Sequence, residues 1–239
     1  MAVLREWQNA LRASARAEKI SDLSRFFKTG KGGYGEGDRF IGLTVPDNRA
    51  VSGFFAGAPL PAVEKMLRSP FHEFRMSALL VLVDKYRKAR RDPVARAEIV
   101  GFYLAHTAGV NNWDLVDLSC PKILGIQQFD HPETDLLTPL SDSGNLWEKR
   151  MAIVSTWYLI RQGEYGPTLR FAEKFLSHPH DLIHKATGWM LREVGKFDMP
   201  VLRGFLDRFA PVMPRTALRY ALEKMPAAAR AEYLRRPQD

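Results

Sequence analysis

Only one cysteine occurs among the 239 residues, no apolar run approaches the ~20 residues a membrane span needs, and the alternating pattern of a β-strand is nearly absent. Each absence excludes something. Cys120 cannot form an intramolecular disulfide, which predicts a reducing, cytoplasmic setting without an oxidative staple. It precedes Pro121 with no base near it in sequence and reads as a small core residue, not a nucleophile. The opening MAVLREWQNALRASARAEK meets Arg5 and Glu6 before any apolar stretch of signal-peptide length, so neither export nor a membrane anchor is expected.

What is present is a chain 46% hydrophobic and 11% aromatic, enough to build a sizeable core and too much for a disordered one. Thirty-five Lys and Arg stand against 27 Asp and Glu, giving a net charge of +8 and a pI near 9.7. That balance favours polyanionic partners without naming one. Apolar residues recur three and four apart, as in Phe74, Ala78, Leu79, Leu82, Val83 and Tyr86, the mark of helices with one buried face. Proline and glycine punctuate these segments at short intervals.

Four segments resemble one another, beginning polar and turning apolar: HEFRMSALLVLVDKY from His72, NLWEKRMAIVSTWYLI from Asn145, HDLIHKATGWMLREVG from His180 and MPRTALRYALEKMP from Met213. With Arg75, Arg150, Lys185 and Arg215 taken as equivalent, the separations are 75, 35 and 30 positions. The first spans about two repeats and predicts a copy near 112, where NNWDLVDLSCPKIL stands as a degenerate member. A period of about 35 residues predicts an all-α, HEAT-like solenoid of stacked helix pairs, one domain over 1–239 with a concave basic groove. Arg75, Arg150, Lys185 and Arg215 would then form a cationic row suited to a phosphate backbone. Solvated surface cations are the alternative.

Three local signals bear on chemistry. Gly30 to Gly35 satisfies G-x-G-x-x-G, but it follows the helix-like SDLSRFFK and lacks the strand that the dinucleotide fingerprint requires. The glycine-rich stretch 29–38, with Lys28 and Lys31 beside it, reads as a flexible loop able to meet phosphates, or as a plain connection. His180 and His184 have metal-ligand spacing but no convincing third ligand, so Pro179 and Asp181 read as a helix start and no metal is expected. Trp113 and Asp117 lie four apart and share one helical face, and Trp189 follows Lys185 at the same offset. A carboxylate beside an indole can stabilise an oxocarbenium ion or activate water at a sugar. Core aromatics with a solvated Asp117 are the bland alternative.

At these residues the sequence resembles the AlkD-type DNA alkylation repair glycosylases, which are HEAT-like repeat proteins. The likeness is carried by NNWDLVD, NLWEKRMAIVSTW and KATGWMLREVGK, with the KTGKGGYGEGD loop and VPDNR common among relatives. The resemblance implies hydrolysis of the N-glycosidic bond of cationic N3- and N7-alkylated purines in duplex DNA, leaving an abasic site with no cofactor. It implies Asp117 as the catalytic carboxylate, Trp113 and Trp189 packing on the nucleotide's sugar and backbone, and Arg150 and Arg192 holding phosphates. A monomer is expected because one continuous groove suffices, and its expected place is the bacterial cytosol and nucleoid. Where some relatives carry Tyr in the N-terminal helix, Phe26 stands here, so any hydroxyl contribution is lost or comes from elsewhere, with Tyr34 a candidate. Two other functions fit an α-solenoid of this charge: non-catalytic binding of damaged or branched DNA, and a protein-interaction scaffold.

Overall fold

The computed structural model describes residues 2–235. It is all-α; among the described residues the only β-type pairing is an isolated bridge between Arg39 and Phe71. The chain divides into two compact units, one running to Ser119 and the other from Cys120. The first contains α1 (Ala2–Ala13), α2 (Ile20–Phe26), α3 (Val45–Phe54), α4 (Leu60–Leu67), α5 (His72–Lys88), α6 (Pro93–Ala105) and all but the last residue of α7 (Trp113–Cys120). The second contains α8 (Ile126–Asp130), α9 (Leu137–Asp142), α10 (Leu146–Arg161), α11 (Gly166–Lys174), α12 (Asp181–Phe197), α13 (Met199–Phe209), α14 (Arg215–Leu222) and α15 (Ala227–Arg235). None of the described helices is long and apolar enough to cross a membrane.

The five expected repeat starts all fall at helix starts: α5 at His72, α7 at Trp113, α10 after Asn145, α12 after His180 and α14 at Arg215. Each is preceded by another α-helix, α4, α6, α9, α11 and α13 in turn, which completes the pair. The starts are set by local chemistry that is visible in the sequence. Asn145 accepts from the Trp147 amide at 2.8 Å, Asp92 from Ala95 at 3.0 Å and Asp198 from Val201 at 3.0 Å, each satisfying a donor that a helix N-terminus leaves unpaired. Pro93, Pro167 and Pro200 sit in first turns, where their missing N–H costs nothing. His180 is itself a cap, its Nδ1 accepting from the Leu182 amide at 3.1 Å, and His184 bonds through Nε2 to the carbonyl of His178.

In the first unit the core gathers Trp7, Leu11, Met66, Leu67, Phe74, Leu79, Leu82, Tyr86 and Tyr103. The Trp7 indole N–H donates to Ser77 at 2.8 Å, so the one polar atom of that ring is satisfied at the α1–α5 contact. In the second unit α12 and α14 pack on Leu191, Leu206, Leu218 and Leu222. Gly188 lets these two helices approach: a Cβ there would lie 2.4 Å from the carbonyl oxygen of Ala217.

One departure from regular geometry bears on function. Pro121 follows α7 directly, and the chain continues through a wider π-type turn (Pro121–Gly125) into α8. An α-helix would aim the N–H of residue 121 at the carbonyl of Asp117, and proline has none to offer. Regular helix therefore ends one turn beyond Asp117. Cys120 is buried at this junction.

The Gly188 contact yields a stability test. Alanine has the better helix propensity by about 1 kcal/mol. Backbone overlap with α14 should nevertheless make Gly188→Ala destabilising by about 1–3 kcal/mol in urea denaturation. Unchanged or increased stability would show that the helices can separate at no cost.

Candidate active site

The site of the first unit starts from a turn that only a constrained chain makes. After α2, Lys28 adopts a left-handed backbone (φ 52°), unusual for a side-chain-bearing residue. Two of the glycines that follow are placed for contact. A Cβ on Gly33 would stand 1.9 Å from the Lys28 carbonyl oxygen, and one on Gly35 would stand 2.3 Å from that of Phe27. The stretch expected as a flexible loop is thus folded back on the end of α2.

This packing delivers Tyr34 to Trp113. The Trp113 indole N–H donates to the Tyr34 hydroxyl at 3.3 Å, and that hydroxyl donates to the Phe26 carbonyl at 3.2 Å. Phe27 stacks on the indole at 5.5 Å between centroids, and Phe26 meets it edge-on at 6.0 Å. Phe26 is itself 62% exposed. Lys28 carries its ammonium 5.6 Å above the Tyr34 ring, and Lys31 is exposed. Trp113 and Asp117, one turn apart on α7, are both half-buried. An aromatic wall, a carboxylate and a lysine-bearing turn thereby share the first unit.

Beneath them lies a buried ionic network. The imidazole of His72, its side chain 1% exposed, bridges Asp38 through Nδ1 at 3.1 Å and Asp114 of α7 through Nε2 at 2.8 Å. Arg75 donates to Asp38 at 2.6 Å and to the Ser69 carbonyl at 2.9 Å, and Asn112 donates to Asp38 at 3.3 Å. Phe27 and Phe40 each lie 4.8 Å from the His72 ring. Burial opposes the charged imidazole, yet the hydrogen bonds to Asp114 and Asp38 outweigh it and raise the His72 pKa. Burial likewise opposes the Asp38 carboxylate, but His72 and Arg75 hold its pKa below the usual value. Glu73 fixes the neighbouring strand-like segment, its carboxylate accepting from the amides of Ile41, Gly42 and Leu43 at 2.9–3.1 Å.

The second unit holds the remaining expected residues. Arg150 of α10 is buried and donates to the Leu182 carbonyl at 2.7 Å. Trp189 is half-buried, its indole N–H bonded to Glu193 at 3.1 Å. Lys185 pairs with Asp181 at 2.8 Å, Arg192 with Glu223, and Arg215 donates to the Leu234 carbonyl at 3.0 Å.

A sequence model of one family, described as DNA alkylation repair enzyme, matches residues 7–225 of this chain. The chain belongs to the DNA alkylation repair enzyme family. A solved structure of a predicted DNA alkylation repair enzyme from Enterococcus faecalis shares its fold, with a TM-score of 0.72 at 19% identity, covering 90% of this chain and 98% of that one. No curated protein matches the chain.

What sequence reasoning missed is the buried network of Asp38, His72, Asn112 and Asp114. Their partners stand 34 to 74 positions apart, and no local pattern links them. One expectation needs correction. Arg75, expected as an open cation, is only 4% exposed and is engaged by Asp38 and Ser69 within the first unit. Arg150, the equivalent position, is likewise buried, 5% exposed, and engaged by the Leu182 carbonyl.

The network makes stability depend on pH in a definite direction. Because the folded state raises the His72 pKa, its contribution is fully present below the ordinary histidine value, 6.5, and is lost as pH rises through the raised one. His72→Gln should cost about 3–5 kcal/mol at pH 6, the range for breaking a buried pair, and less at alkaline pH. Denaturation midpoints of both proteins across pH 6–9 check this; a constant difference would show that the imidazole titrates alike in the folded and unfolded states.

Proposed function

We propose that this member of the alkylation repair family is a monofunctional DNA glycosylase that hydrolyses the N-glycosidic bond of cationic N3- and N7-alkylated purines in duplex DNA. The observation that supports it is the pairing of Trp113 and Asp117 on consecutive turns of α7, with the indole held in one orientation by Phe27 and Tyr34. The substrate needs little activation, since alkylation has already placed a positive charge on the base. As the bond from C1′ to the base nitrogen breaks, the electron pair goes to the base and neutralises it, and the deoxyribose acquires oxocarbenium character. A carboxylate at Asp117 stabilises that charge and orients a water, whose oxygen adds to C1′ while its proton passes to the carboxylate and on to solvent. The products are the free base and an abasic site. The Trp113 face packs on the cationic, C–H-rich sugar.

In the second unit we assign Trp189 a sugar contact, with Arg150, Lys185, Arg192 and Arg215 adding positive field. Lys28 and Lys31 do the same beside Trp113. No residue in this scheme calls for a metal or an organic cofactor. The basic balance of the chain, +8, suits a polyanion such as nucleic acid better than an apolar partner.

Release of 7-methylguanine from alkylated duplex DNA tests the reading directly. Asp117→Asn should lower single-turnover release by about 10²–10⁴-fold, the usual worth of a positioned acid–base group, with DNA affinity retained. Affinity should fall steeply between 50 and 200 mM salt if several phosphates are neutralised. Tight, salt-sensitive binding without any release would identify a non-catalytic DNA-binding protein instead.

A further inference from the structure

We infer that Tyr34 is a positioning residue for Trp113, and that the glycine-rich segment 29–38 is the strap that holds it there. The inference rests on the glycosylase reading for its effect on catalysis, but the contact itself is a separate claim. Two hydrogen bonds meet at one hydroxyl: it accepts from the Trp113 indole N–H at 3.3 Å and donates to the Phe26 carbonyl at 3.2 Å. The hydroxyl thus ties the last turn of α2 to the first residue of α7. An indole can swing about two side-chain torsions, and stacking on Phe27 at 5.5 Å and 21° limits one plane but still allows sliding. The hydrogen bond at the ring edge removes that remaining freedom and consumes the single donor of the indole.

The consequence for substrate is specific. With its N–H turned to Tyr34, Trp113 presents a π face and C–H edges to whatever lies beside Asp117, and does not present a donor. A positively charged nucleotide is then favoured through the ring face, and no hydrogen bond reads the identity of the base.

The strap has the construction such a role needs. Lys28 takes a left-handed backbone to reverse the chain, and Gly33 and Gly35 lie against the backbone of residues 27 and 28 where a Cβ would not fit. The Gly32 amide donates to the Glu36 carboxylate at 2.7 Å, closing the segment on itself. Asp38, at its far end, is bonded by His72, Arg75 and Asn112. Tyr34 therefore sits midway along a segment fastened at both ends.

The test uses the full chain and the near-isosteric Tyr34→Phe, which keeps the ring under Lys28. The indole N–H resonances of the five tryptophans are compared by 15N NMR, with Trp113→Phe identifying that of Trp113. We expect the Trp113 resonance to move upfield in Tyr34→Phe. Single-turnover release of 7-methylguanine should fall roughly two- to tenfold, the worth of one hydrogen bond, with duplex affinity unchanged. A Trp113 resonance that stays in place overturns the contact. A resonance that moves while release is unaffected overturns the positioning role. A native chain that releases no base defeats the glycosylase reading alone, and the resonance still decides whether Tyr34 holds Trp113.

Discussion

Everything at the front of this molecule depends on the first turn of α5. His72, Glu73 and Arg75 leave that turn in different directions and are all buried. Glu73 gathers three consecutive amides from residues 41–43, Arg75 and His72 share Asp38, and His72 reaches on to Asp114. A buried carboxylate or guanidinium is tolerable only when its partners are complete, and leaving one unpaired costs several kcal/mol. The ionic groups thus fix where the irregular segment 28–43 must lie and how α7 begins. The aromatic wall formed by Phe27, Tyr34 and Trp113 is laid on this foundation.

Such a foundation suits a site that handles a charged sugar. If Trp113 and Asp117 are to meet a developing cation, the tolerance on their placement is small, because misplacement of reacting groups by an ångström can cost two orders of magnitude in rate. A hydrophobic core alone would leave α7 free to slide, since dispersion contacts carry little directional preference. Hydrogen bonds from His72 to Asp114 and from Asn112 to Asp38 set both the height and the rotation of the helix start. The π-type turn at Pro121 then bounds the helix on the other side of Asp117.

Much of the fold was legible in the sequence because the signals that make helices are local. Periodicity exposed the apolar faces, proline and glycine marked the breaks, and the spacing of four polar-to-apolar segments located the pair containing α7. Trp113 and Asp117 were legible for the same reason, since a separation of four positions fixes a shared face. The ionic network was not, because side chains drawn from residues 38, 72, 75, 112 and 114 acquire their meaning only from tertiary proximity. Arg75 shows the limit most plainly: its position in the repeat is the one expected, whereas its surroundings are set by Asp38, a residue from outside any repeat. The roles of Gly33 and Gly35 were not legible either, because composition registers a glycine's freedom and not the backbone it presses against.

Those glycines also bear on how this chain tolerates changes of length. Surface connections commonly gain or lose residues without harm, because their atoms touch little. The stretch between Lys28 and Asp38 has no such slack. Removing or adding one residue between Gly33 and Gly35 would shift Tyr34 away from the indole and set a side chain against the carbonyls of Phe27 or Lys28. A segment with the composition of a linker therefore has the fixed length of a core helix.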